Sequence, residues 1–328
     1  MGSEMLPPFG WSEVFTRWQF APIVTAFVAV FAALYLWGVV RVARRHPQRP
    51  WPLWRAGMFL AGLAVVVMAT ESGVGAYDDV LFWDHMIQHL LLIMVAPPLL
   101  VTGQPVTLLM HASRNPLHTW VKRLLRSRVI SALTWPVFGI VAYVVTIVGT
   151  HLTGFMNLVM ENSDIHDAEH ALYLIVGYLY FLPLIGREPI RWKVSYPVRL
   201  FLLFMAMPVD AFTGVVLGSE GSVPWSSMAT APRPSWAPSA LDDLHTGGAV
   251  MWVGGAAIMF VLIMFVFLAW SRDTRATSRS GWLESARRDN IGELVNSPAG
   301  LSGDVDDNEE HLDAYNAYLA RLNRTEKH

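Results

Sequence analysis

Cysteine is absent from all 328 residues. That excludes disulfides, thiolate metal sites and cysteine nucleophiles, so any bound metal has to be held by His, Met, Asp or Glu. Charge is scarce as well: Asp, Glu, Lys and Arg make up 15% of the chain, against about 25% in a soluble globular domain. Hydrophobic residues reach 53%, and a chain of this composition reads as an integral membrane protein. No basic segment precedes the first apolar run, which begins near Ala21, so that run reads as a membrane span and not as a cleaved leader. Strand-length alternation is also missing. Helices are then the way to satisfy backbone polar groups in lipid.

What is present is a series of apolar runs. Seven read as membrane spans, the second of them short and Gly-interrupted: 21–40, 56–71, 81–101, 131–150, 167–186, 196–218 and 247–270. The expected fold is therefore all-α, a polytopic bundle of seven transmembrane helices over residues 1–270. Residues 271–328 are expected to form a cytoplasmic tail. Within it, a Ser/Arg/Asp-rich linker leads to an amphipathic helix at 309–323 carrying Leu312, Tyr315, Leu319 and Leu322. Basic residues set the expected orientation, since 22 of the 24 Lys and Arg fall after the odd-numbered spans and only Arg17 and Arg233 fall on the opposite side. The positive-inside rule then places the N-terminus outside and the C-terminus in the cytoplasm. A short helix after Asn115-Pro116, with Trp120, Val121, Leu124 and Leu125 on one side, is expected to lie at the inner membrane surface.

Six of the eleven histidines fall at the outer ends of these runs. His85 and His89 are four apart, which stacks them on one helix face. His166 and His170 repeat that spacing, His151 ends the fourth run, and His245 precedes the seventh, just after Asp242 and Asp243, of which Asp243 is read as a supporting group for a metal. Four helices thus bring imidazole to one leaflet, as a transition-metal site or relay needs. Met86, Met207 and Met251 add thioether near the same positions, and imidazole with thioether favours copper. Asp210 is the one acid that this reading puts well within a span. It lies about 17 Å along its helix from Arg199 at 1.5 Å per residue, where it can orient a ligand or carry a proton. The plainer readings are interfacial polarity for His151 and His245 and core filling for Met207. The Gly247-Gly248 pair is read as a close helix approach.

The run from His85-Met86-Ile87-Gln88-His89 through Ala96-Pro97-Pro98-Leu99-Leu100 resembles the signature span of the CtaG family of bacterial membrane proteins. Asp243-Leu244-His245, with Gly247-Gly248 and Met251-Trp252, is similar to that family's last-span motif, and 313–319 resembles its tail. The resemblance covers essentially the whole chain. It implies a copper-binding factor, not an enzyme, that serves maturation of caa-type cytochrome c oxidase from the outer side of the bacterial plasma membrane. The oxidase subunits and a copper-donating chaperone are the implied partners. A homodimer stays open, and nucleic acid is not expected. Where the resemblance leads one to expect His, this chain has Asp210, a harder ligand. An unrelated single-span copper chaperone of the same name uses cysteine, which this chain lacks.

Two rival readings carry their own expectations. A b-type haem needs two histidines on facing helices, whereas an i,i+4 pair suits one small ion. A transporter with a His/Asp path needs polar residues that continue toward the inner side, and 90–101 and 172–185 are nearly all apolar.

Overall fold

The computed structural model describes residues 6–274, and the tail expected at 271–328, with its helix at 309–323, lies almost wholly outside them. The chain divides into two units, Met1–Phe267 and Leu268–His328, and the helical bundle belongs to the first. The described residues are helical, with no strand among them. Six helices are long and apolar enough to cross a membrane: Pro22–Arg45, Leu53–Tyr77, Phe82–Ala112, Ser163–Ile185, Tyr196–Ser219 and Ala240–Thr274. A seventh span forms if Pro136–His151 is joined to Phe155–Glu161 across a 69° bend. Counted with that bent pair as the fourth, the spans match the seven expected. Their outward faces carry bulky apolar side chains such as Phe27, Phe31 and Leu34 of the first span and Phe201 and Phe204 of the sixth. Such surface is stable only against lipid.

The third span is the axis of the bundle. In its most apolar stretch 72% of positions are buried, against 11% in the first span. Its start packs on the seventh span, its middle on the fifth, and Ala96–Thr102 on the second and fifth. It is also longer than the run expected at 81–101, continuing through the left-handed residue Gln104 (φ 54°) to Ala112. Pro97 and Pro98 do not end it. A π-turn at Leu91–Val95, closed by Ala96 N–H on the Leu91 carbonyl, resets the ladder just ahead of them. Pro97 has no N–H for the Ile93 carbonyl, and the bare Cα of Gly177 in the fifth span lies against that oxygen, where a Cβ would also press on Pro97 Cγ at 2.7 Å. A proline on one helix thus requires a glycine on its neighbour.

Three other stretches differ from expectation. Residues 151–166, read as a loop, contain the helix Phe155–Glu161, which buries Met156 and Val159. The bend just before it is tied by Trp225 Nε1 donating to the Thr153 carbonyl at 2.9 Å. The seventh span begins at Ala240, not 247, because Ser239 caps it: its hydroxyl accepts from Asp242 N–H at 3.2 Å and donates to the Asp242 carboxylate at 2.6 Å. The second span continues past residue 71 through a turn capped by Ser72 to Tyr77. The short helix expected after Asn115-Pro116 forms at Leu117–Leu125, with Trp120 and Leu124 exposed.

At the opposite end of the bundle from the histidines, Glu188 accepts from Val106 N–H (3.0 Å) and Thr107 N–H (2.8 Å), capping the helix Pro105–Ala112. Burial raises the Glu188 carboxyl above its ordinary value, and these hydrogen bonds oppose the rise.

Candidate metal centre

The helix Phe82–Leu90 presents His85, Gln88 and His89 to the fifth span. Its first turn has free N–H groups that need acceptors, and the acceptor comes from another helix. Asp243 of the seventh span takes Phe82 N–H at 2.9 Å and Trp83 N–H at 3.1 Å, while Arg233 pairs with the same carboxylate at 2.9 Å. Asp243, expected to support metal, therefore positions the helix that carries the histidines. On the fifth span, Asn162 caps the start by accepting from Asp164 N–H at 2.9 Å. His166, Glu169, His170 and Tyr173 then follow at i, i+3, i+4 and i+7, one face of the helix.

Where these faces meet, His85 Nε2 and His89 Nε2 lie 3.8 and 3.5 Å from the same oxygen of Glu169. The three side chains are 4% exposed or less. Neither Nε2 atom nor either carboxylate oxygen has a hydrogen-bond partner. A buried carboxylate without a partner is costly and calls for a proton or a cation. The spacing suits a cation: donors about 2.0–2.2 Å from a tetrahedral ion sit about 3.3–3.6 Å from one another. These donor atoms lie within 4.8 Å of one another.

The protonation of His89 follows from its neighbours. The Ile147 carbonyl can only accept, so His151 Nδ1, 2.9 Å away, carries hydrogen. His151 Nε2 is then an acceptor, and it lies 3.3 Å from His89 Nδ1. That nitrogen donates, leaving the lone pair on Nε2, which faces Glu169. Tyr173 holds the His89 ring plane by stacking at 4.0 Å between centroids, and its hydroxyl shares a hydrogen bond with Thr150 Oγ1 at 2.6 Å. This is the outer support that a metal-ligating imidazole needs.

His166 and His170 lie one step outward. His166 Nε2 is 3.8 Å from Asp78 Oδ2, and its ring stacks on His85 at 5.1 Å. Gln88 links the two levels: its amide nitrogen donates to Asp78 at 2.7 Å and to the Ala69 carbonyl at 2.9 Å, and its oxygen accepts from His170 Nε2 at 2.8 Å. Burial, with the Asp79 charge beside it, pushes the Asp78 carboxyl well above the ordinary carboxylate range. A cavity of about 720 Å³ opens over this level, lined among others by Asp78, His85, Met156, Met160 and His166.

The structure thus brings five of the six histidines together and leaves one apart. His245 donates to the Glu220 carbonyl at 2.9 Å, away from the cluster. Asp210 also lies elsewhere. It accepts two contacts from Tyr143 Oη at 2.8 and 3.0 Å, and Tyr143 is eight residues, about 12 Å of helix, from His151. Nor is Asp210 the one acid inside the spans, since Asp84 and Glu169 are buried there too. Met86 turns to the seventh span, where a Cβ on Gly247 would meet its Cγ at 3.3 Å. Met251 is buried in the main apolar core, and Met207 packs against it.

The Caa3_CtaG model, described as cytochrome c oxidase caa3 assembly factor, matches residues 33–273, which include every one of these histidines. The chain belongs to that family. Its apolar spans and its family make it a multi-pass protein of the bacterial plasma membrane. It is similar to uncharacterized proteins of Mycobacterium bovis and Mycobacterium tuberculosis, each 30% identical over 332 residues, and to one of Mycobacterium leprae, 28% identical over 331. Each alignment covers 99% of this chain and 47% of the relative, so the chain spans about half the length of the curated relatives it matches. No solved structure matches.

Sequence reasoning missed three polar residues of this cluster: Glu169, Asp78 and Gln88. Glu169 did leave a signal. It is an acid in the first two turns of an apolar span, three residues after one histidine and one before another.

Proposed function

We propose that the chain holds copper at His85, His89 and Glu169 on the extracytoplasmic side and makes it available during maturation of a caa3-type cytochrome c oxidase. The observation that carries this reading is the convergence of two unpartnered imidazole nitrogens on one unpartnered, buried carboxylate. Imidazole accepts both copper states and carboxylate favours the divalent ion, so Cu(II) is the state this donor set suits. Met156 and Met160 on the cavity wall supply softer sulfur along the approach. The role is one of binding and positioning, not of catalysis, in keeping with the family's description as an assembly factor. The outward orientation rests on the basic residues gathered at the opposite end of the bundle. Against a haem, the His85 and His89 rings are only 4.1 Å apart on one helix, too close to clamp a macrocycle between facing ligands.

The test is metal content by mass spectrometry of protein purified without chelators, beside His85→Ala, His89→Ala and Glu169→Gln. The expectation is one copper per chain in the wild type and far less copper, bound only weakly, in each variant with normal membrane insertion. The same variants, expressed as the sole copy, leave the oxidase without its copper. Full copper content in the His85→Ala/His89→Ala double variant would overturn the reading.

A further inference from the structure

Of the inner trio, only His85 reaches the outer cavity. The cavity wall is formed in part by Asp78, Asp79, Glu161, His85 and His166, but His89 and Glu169 do not reach it. An ion arriving from outside therefore meets His166 and His85 first. From this geometry we infer that Asp78, His166 and His170 form a second cation site, distinct from the inner centre, which loads that centre through the stacked His166–His85 pair. The inference rests on the copper-centre reading above and adds to it a route and an order of events.

Four observations carry it. The donor atoms of Asp78, His166 and His170 lie within 4.8 Å of one another, as those of the inner trio do. His166 Nε2 is buried without a hydrogen-bond partner, 3.8 Å from the Asp78 carboxylate. The hydrogens of Gln88 Nε2 are spent on Asp78 and Ala69, so Gln88 Oε1 must accept from His170 Nε2, which leaves the His170 lone pair on Nδ1. Gln88 thereby orients two members of the outer trio from the same helix turn that bears His85 and His89. Finally, burial is graded. The His166 side chain is 12% exposed, and those of the inner trio are 0 to 4% exposed.

Charge favours the same direction of travel. Asp79 and Glu161 give the cavity a negative rim, which concentrates cations at its floor. The one cation on that wall, Arg233, is already paired with Asp243. Two divalent ions a few ångströms apart repel strongly at low dielectric, so the two sites fill in turn. The outer trio is then a loading station and not a second store.

Such a station changes rates in both directions and leaves the inner equilibrium alone. Full-length protein in detergent is mixed with Cu(II), and uptake is followed by quenching of tryptophan fluorescence. Release into a chelator is followed in the same way. Asp78→Asn, which keeps an acceptor for Gln88, and His166→Ala should each slow uptake and release together by at least tenfold, with affinity unchanged and copper still at one per chain. In a His89→Ala background, weak residual copper binding should remain and should vanish on adding His166→Ala. Unchanged uptake and release in Asp78→Asn and His166→Ala would overturn the relay, as would loss of affinity without loss of rate. Wild-type copper affinity in His89→Ala alone would instead refute the inner centre. The two failures are therefore separable.

Discussion

His151 touches no proposed ion, yet removing it should weaken copper binding. Its Nδ1–H is committed to the Ile147 carbonyl at 2.9 Å, so its Nε2 accepts from His89 Nδ1 at 3.3 Å and holds the His89 lone pair on the ligand side. In His151→Ala that acceptor is gone, and a buried unsatisfied N–H costs about 1–3 kcal/mol. His89 can escape this cost by moving its proton to Nε2, where Glu169 waits at 3.5 Å to accept it. Copper must then displace that proton. Loss of an orienting partner of this kind costs about 10–100-fold in metal affinity, or about 1.4–2.7 kcal/mol. The assay is competition with a Cu(II) chelator on purified protein, with thermal unfolding as the control for the space vacated. His151→Gln returns a carbonyl acceptor near the lost Nε2 and should recover affinity to within a few-fold of wild type. Wild-type affinity in His151→Ala would refute the tautomer reasoning. A loss as complete in both His151 variants as in His89→Ala would make His151 a direct ligand.

Other perturbations test the surrounding structure. Glu169→Gln should abolish copper binding yet raise the thermal stability of the metal-free protein by about 1 kcal/mol, because the amide can donate to a histidine lone pair where the carboxylate cannot; a lower melting temperature would count against the orphaned trio. Asp243→Ala strands the Phe82 and Trp83 amides and Arg233, so a loss of about 2–6 kcal/mol is expected for the two amides, read as a fall in melting temperature in detergent, with Asp243→Asn between. Because burial raises the Asp78 carboxyl, its contribution to the stability of the metal-free protein is fully present below the ordinary carboxylate value and is lost as pH rises through the raised one. Asp78→Asn should flatten that decline in melting temperature, and an unchanged pH slope would show that Asp78 does not cause it. For orientation, the absence of native cysteine allows a direct check: an impermeant thiol reagent applied to intact cells should label Glu161→Cys and not Arg126→Cys.

The sequence by itself determined the membrane class, the number and rough limits of the spans, and the two histidine pairs. The reason is that these depend on local quantities. An apolar run of about 20 residues declares itself without reference to the rest of the chain, and four-residue spacing fixes a shared helix face whatever lies opposite. Pro97 and Pro98 were likewise visible as residues, although the π-turn that accommodates them and the Gly177 that meets Pro97 were not. What only the tertiary structure decided is which polar groups meet across helices. Glu169 and Asp210 are both acids in apolar spans, and no local pattern says that one faces two imidazoles while the other faces Tyr143. Asp243 and His245 are two residues apart on one helix, yet their side chains leave it in different directions. One caps the helix Phe82–Leu90, and the other binds the Glu220 carbonyl. His151 joins the cluster because the fourth span bends directly after it, a turn set by packing against Trp225 and Ser227 far along the chain. A polar cluster assembled from the third, fourth and fifth spans is a statement about their relative rotation. That rotation is fixed by the packing of the third span against its neighbours, not by any stretch of sequence read alone.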